Sequence, residues 1–220
     1  MKKFLVALAI AATGMSAQAY DVFDNKDNHA YWGVRVSYEL SVPGDVEVDA
    51  ITKQELYKSS SGVSAGVIYN MPLWKNLYFE PGLNLYYNTL EVNKALVKSE
   101  FPAAKSASVR EFGFRIPLHI GYHFDVIPSL KLSVFTGPEI TMGLSGCNHT
   151  DFGDFALTHS AYGHNGSMNR FDMQWRFGVG ATFLEHYYGA VSGATGICDH
   201  LKGPGSMHTS LFDITLGYNF

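Results

Sequence analysis

Long apolar runs are what this sequence most lacks. Beyond its first twenty residues, no charge-free stretch approaches the roughly 20 residues a membrane-crossing helix needs, which excludes a helical anchor. Basic excess is missing too: 16 Lys and Arg face 20 Asp and Glu, a net charge of −4. A nucleic-acid partner wants a basic surface, so no nucleic acid is expected. Cysteine is nearly absent, with only Cys147 and Cys198. Disorder is excluded from the other side, because 46% of the residues are hydrophobic.

What is present is glycine, 22 residues, and aromatics, 14%. That pairing favours many closely packed strands over helices. The chain opens "MKKFLVALAIAATGMSAQA". Lys2 and Lys3, an apolar core from Phe4 to Ala12 and the small-x-small Ala17-Gln18-Ala19 predict a secretory signal peptide over 1–19. Loss of those two lysines takes the net charge from −4 to −6. A short periplasmic segment, 20–29, and one barrel domain, 30–220, are expected after it.

From Ala30 onward, period-two segments recur. "AYWGVRVSYEL" sets Trp32, Val34, Val36, Tyr38 and Leu40 against Tyr31, Gly33, Arg35, Ser37 and Glu39. "GVSAGVIYNM", "LYFEPGLNLYYN", "REFGFRIPLHIGYHF", "LKLSVFTGPEITMG", "RFDMQWRFGVGATF" and "YYGAVSGATGIC" follow, and "LFDITLGYNF" makes eight. The connections alternate in length. Pro43–Ser60, Val92–Ser108, Ser145–Met168 and Asp199–His208 are long; Pro72–Asn76, Asp125–Ser129 and Glu185–His186 are short. Up-and-down strands put every second connection at one end. The expectation is an all-β, eight-stranded antiparallel transmembrane barrel with short periplasmic turns and long extracellular loops.

A soluble eight-stranded barrel shares the alternation. Which face is inside separates the two. Here the polar face carries Gly33, Gly66, Gly82, Gly113, Gly121 and Gly178 and few lysines, as a crowded lumen requires. The apolar face is the uniform one and bears Trp32, Tyr38, Tyr87, Phe124, Phe183 and Tyr218 near strand ends, like interfacial girdles. Outer-membrane lipid is then the main surroundings, the cell outer membrane the expected location, and a monomer the expected state.

The inward set is Arg35, Glu39, Glu80, Glu111, Arg115, Glu139, Asp172, Arg176 and Asp213, with Lys131, His119 and His123. Opposite charges in a narrow space must pair, so a side-chain-filled plug is expected rather than a pore or an active site. No cofactor and no metal is expected. Cys147 and Cys198 fall at the same end. They are read as a disulfide, as free thiols, or with His149 and His200 as a metal set, the disulfide being favoured in an exported chain. The long loops are where an extracellular partner of unknown identity would bind. A lipid-modifying enzyme is the rival reading, with His159-Ser160 and His149-Thr150 as its nearest residues.

"REFGFRIPLHIGYHF", with its Ile116-Pro117-Leu118, and "LSVFTGPEI", with its Gly137-Pro138, resemble the PorT-like outer-membrane β-barrels of Bacteroidota, and "FEPGLNLYY" is similar to the preceding strand of that family. The resemblance spans essentially the mature chain. It implies an eight-stranded barrel and no reaction. Its name-giving member is associated with type IX secretion. The Phe-terminated last strand, ending at Phe220, also resembles the signal read by the barrel assembly machinery.

Overall fold

A computed structural model of the protein describes residues 29–220 except 45, 50–51, 55–56, 101, 128, 154, 163–165, 167 and 200–207. The expected signal peptide and nearly all of the 20–29 segment lie outside the described residues.

Eight strands close into a ring: β1 (Tyr31–Pro43), β4 (Tyr57–Trp74), β5 (Leu77–Val92), β6 (Ser106–Ile127), β7 (Leu130–Asp151), β9 (Phe171–Phe183), β10 (Tyr187–Gly196) and β11 (Thr209–Asn219). Every neighbour in the ring is antiparallel. Closure is made by β1 on β11, from Gly33↔Asn219 to Pro43↔Thr209. The aromatic stripe at the carboxyl end is therefore the seam of the barrel. Without it, β1 would present an edge of unpaired amides to lipid, where no water can satisfy them.

Burial is inverted relative to a soluble protein. Val36 is 59% exposed, Phe177 59% and Leu216 68%, whereas Glu39 and Asp213 are 2% and Arg115 3%. Period two sends alternate residues of each strand to opposite faces, and here the apolar face looks outward. An apolar exterior around a charged interior is stable only where the solvent is hydrocarbon.

The short connections are tight. Leu184 and Glu185 hold φ of 51° and 64°, and His186 donates to the Phe183 carbonyl at 3.3 Å. Two consecutive left-handed residues make the turn whose twist matches a hairpin. No glycine marks it in the sequence. Lys75, φ 52°, turns the β4–β5 hairpin.

The long connections hold more regular structure than the alternation predicts. The Pro43–Ser60 stretch contains a hairpin of β2 (Val46–Asp49) and β3 (Thr52–Gln54). Val92–Ser108 contains a helix, α1 (Lys94–Glu100), whose first turn is capped by Asn93 Oδ1 accepting from the Ala95 amide at 3.1 Å. In Ser145–Met168, β7 continues to Asp151 and pairs with β8 (Ala156–Ser160). Both β6 and β7 are 22 residues long. A tilted strand crosses the bilayer in about 9–11 residues, so roughly half of this hairpin stands clear of the lipid. Above the lipid both faces meet water, so the alternation fades while the ladder persists. That is why these segments read as connections.

Candidate functional site

The lumen is crossed by a chain of ion pairs. Arg115 on β6 donates through Nη1 to Glu39 Oε1 on β1 at 2.5 Å, although these strands are not neighbours. Its Nε lies 3.8 Å from Glu139. Arg176 grips Glu139 with two bonds, Nε to Oε2 at 3.1 Å and Nη2 to Oε1 at 3.0 Å. Arg176 Nη1 also donates to Asp213 and to Ser192 Oγ, and Ser192 donates to Asp213 at 2.8 Å. Asn88 bridges the first pair: its amide is oriented so that nitrogen meets Glu39 Oε2 at 3.2 Å and oxygen meets Arg115 Nη2 at 3.0 Å. The fork of each guanidinium matches the carboxylates and fixes their geometry.

A second group sits nearer the short turns. Arg35 donates to Asn219 Oδ1 at 2.9 Å, stands 3.8 Å from Glu80 and lies over the Tyr188 ring at 4.0 Å. Asn70 donates to Glu80 at 3.1 Å. Glu111 and Asp172 stand toward the long loops. Glu111 accepts from the Tyr162 hydroxyl at 2.7 Å; Asp172 accepts from the Met173 amide at 2.7 Å. The nine charged residues expected to face inward are thus all in the lumen and buried. The central cavity left among them is about 50 Å³, room for a few waters.

Four lumenal tyrosines carry much of the packing and were not singled out from the sequence. Tyr78 lies over Gly121, Tyr86 over Gly113, Tyr188 over Gly180, and Tyr162 over both Gly143 and Gly146. A methyl group at Gly121 would overlap the Tyr78 ring, so close approach is the reason for this glycine. A bulge at Leu144, where Phe112↔Ser145 gives way to Gly113↔Gly143, turns both Gly143 and Gly146 toward Tyr162. The signal was available: glycines on the inward face opposite strand tyrosines.

His119 and His123 share the lumen but not a site. His119 stacks on Phe135 with centroids 5.2 Å apart, and His123 on Tyr78 at 4.1 Å. Lys131 is half-buried at the short-turn mouth, where it lines a cavity of about 190 Å³ with His123 and Glu185.

At the opposite mouth the chain after β8 folds inward. Ala161 and Met168 are fully buried and join Tyr162, Leu90 and Val109 in an apolar cluster. The Met168 amide donates to the Ala161 carbonyl at 3.1 Å. Burial, and then the Glu111 carboxylate, push the Tyr162 hydroxyl well above the ordinary tyrosine range. It stays protonated and donates.

The expected disulfide is absent. Cys147 and Cys198 are both free, half-buried thiols. The Cys198 amide reaches the Met173 carbonyl, and Met173 is opposite Ile140, seven residues below Cys147 on β7. That is roughly 20 Å along a strand, against the limit of about 7 Å between bonded Cα atoms. Sharing an end of the barrel did not bring the two sulfurs together. His200, invoked in the metal alternative, lies outside the described residues.

Phe220 donates its amide to the Trp32 carbonyl at 2.8 Å, keeps its ring 70% exposed and meets Tyr218 edge-on at 5.2 Å. Trp32 and Tyr69 pack at 4.6 Å, and Tyr122 and Phe124 at 5.0 Å. These rings belong to the aromatic band around the short-turn end.

Closed ring, outward apolar band, charged and side-chain-filled lumen, short turns at one end and long loops at the other define a small integral barrel of the outer membrane. The sequence agrees. A model of the outer membrane protein beta-barrel domain matches residues 17–197, and the chain belongs to that family. No curated protein matches it. Among solved structures it is similar to Ail, the attachment invasion locus protein of Yersinia pestis (9% identity, 88% of this chain and 100% of that chain, TM-score 0.44). It is also similar to Neisserial surface protein A (11%, 88% and 100%, 0.46) and to OprG from Pseudomonas aeruginosa (12%, 87% and 96%, 0.45).

Proposed function

We propose that this barrel is non-enzymatic and acts at the cell surface through its extracellular loops, with the lumen serving as structural fill. The observation that carries the reading is where the ordered structure goes. Ion pairs and tyrosines leave only about 50 Å³ at the lumen centre, while β6, β7 and β8 extend the sheet beyond the lipid. All five residues of β8, Leu157 among them, are exposed, and so is the neighbouring Phe155. Rigid, exposed aromatic and aliphatic groups on a strand favour recognition by contact.

The non-enzymatic reading is supported by where the candidate catalytic residues lie. His159 and Ser160 are consecutive on β8 and point to opposite faces; Ser160 Oγ donates to the Tyr162 carbonyl at 2.7 Å. His149 Nδ1 meets Thr158 Oγ1 at 3.3 Å. The closer kinship to PorT-like barrels of Bacteroidota rests on Ile116-Pro117-Leu118 and Gly137-Pro138. These motifs lie side by side, with Pro117 opposite Glu139 in the β6–β7 ladder.

Two measurements test the reading. The barrel in planar bilayers should give no ion steps. Replacing 148–160 by a Gly-Ser linker should abolish attachment of expressing cells to an array of host proteins and glycans, while leaving a heat-modifiable barrel. Steady conductance, or attachment indifferent to the replacement, overturns it.

A further inference from the structure

We propose that the extracellular half of the lumen holds a calcium-type cation, bound between β6, β7, β9 and β11 just beneath the Tyr162 cap. A cavity of about 20 Å³ lies there, lined by the carboxylates of Glu111 and Asp172 and by Thr141, Gln174 and Thr209. That volume holds one water-sized particle. Three oxygen atoms in its lining have no hydrogen-bond partner: Thr141 Oγ1, Gln174 Oε1 and Thr209 Oγ1. Their side chains are more than nine-tenths buried, at 6%, 4% and 8% exposure. The Gln174 amide nitrogen reaches toward Asp172 Oδ2 at 3.4 Å, which leaves its oxygen as the group without a bond.

Buried polar atoms without partners are costly and call for a cause. A single water can donate to Gln174 Oε1 and accept from both threonine hydroxyls, which donate as well as accept. A cation draws on all three oxygens together with the carboxylates. The donor set selects the ion. It is all oxygen, with no imidazole or thiolate, which suits hard cations and not zinc or copper. Calcium accepts carboxylates and amide carbonyls in irregular geometry. Magnesium insists on octahedral geometry and retains several waters, for which about 20 Å³ has no room. Glu111 and Asp172 add anionic oxygens to the set while keeping their own protein partners. Arg115 also borders the cavity, but its guanidinium is held by Glu39 at 2.5 Å and lies 3.8 Å from Glu139. Because Glu111 accepts from the Tyr162 hydroxyl, the ion would also hold the cap in place.

Terbium(III), an oxygen-seeking calcium surrogate excited through nearby tyrosine, is the probe, added to the folded, chelator-treated full-length barrel in detergent. Tyr86 lines the cavity and supplies the excitation. Sensitised emission that calcium displaces at far lower concentration than magnesium is expected. Losing even an outer-shell partner weakens metal sites about 10–100-fold, so Gln174→Leu and Asp172→Asn, which remove direct ligands, should each weaken calcium competition by roughly tenfold or more. Glu91→Gln, at an exposed carboxylate outside the lumen, should change nothing. Heat-modifiable mobility in SDS verifies that each variant is folded; Gln174→Leu keeps the volume and both carboxylates. No emission from the folded protein, or emission and competition unaltered in folded Gln174→Leu, overturns the proposal.

Discussion

Arg115 and Glu39 meet at 2.5 Å across the lumen, joining two strands that share no ladder. The contact ties opposite walls of the barrel. Taking away one partner leaves an uncompensated buried charge, which costs about 3–5 kcal/mol. Arg115→Met should lower unfolding stability by that order in urea titrations of the barrel in lipid. Glu39→Gln combined with Arg115→Met should recover most of the loss. A double variant as unstable as the sum of the singles would show that the two residues act independently.

Gly121 has the Tyr78 ring directly over it. Gly121→Val should shift the heat-modifiable transition to lower temperature, because neither the ring nor the ladder can yield. Tyr78→Leu in the same chain should restore part of it. If Gly121→Val melts like the wild type, the close approach is not limiting.

Cys147 and Cys198 are free. Mobility in SDS should be the same with and without reductant, and a thiol reagent should label the unreduced, denatured chain at both positions. A mobility change on reduction in the wild type that is absent from Cys147→Ser would restore the disulfide.

The Tyr162 hydroxyl titrates above its ordinary value, which is about 10 in an unfolded chain. Below that pH its contribution to the closed cap is fully present. As pH rises through it, the open, solvated form ionises while the closed form does not, and the cap is destabilised. Cleavage of the chain beside Tyr162 by an alkaline-tolerant protease should therefore accelerate above about pH 10. Tyr162→Phe should remove that acceleration and raise cleavage at neutral pH, through loss of the bond to Glu111.

Phe220 closes the seam with its amide on the Trp32 carbonyl. Deleting it should reduce the yield of heat-modifiable barrel in the outer membrane, measured against total chain. Undiminished yield would separate the terminal ring from assembly.

The amino-acid sequence by itself determined the strand count, the inverted faces and the alternation of short and long connections. Each is a local property: period two needs only the pleat, and a hairpin needs only its neighbours. It also determined which charged residues point inward, since facing follows parity along a strand. Only the tertiary structure decided which of them meet. Glu39 finds Arg115 rather than another guanidinium because closure and strand stagger bring β1 and β6 to the same height across the lumen. The same stagger sets Cys147 far above Cys198, stations Tyr162 over Gly143 and Gly146, and leaves three oxygens facing one cavity. The β7–β8 extension was hidden for the opposite reason: above the lipid no face is preferred, so the ladder carries no pattern for a sequence to display.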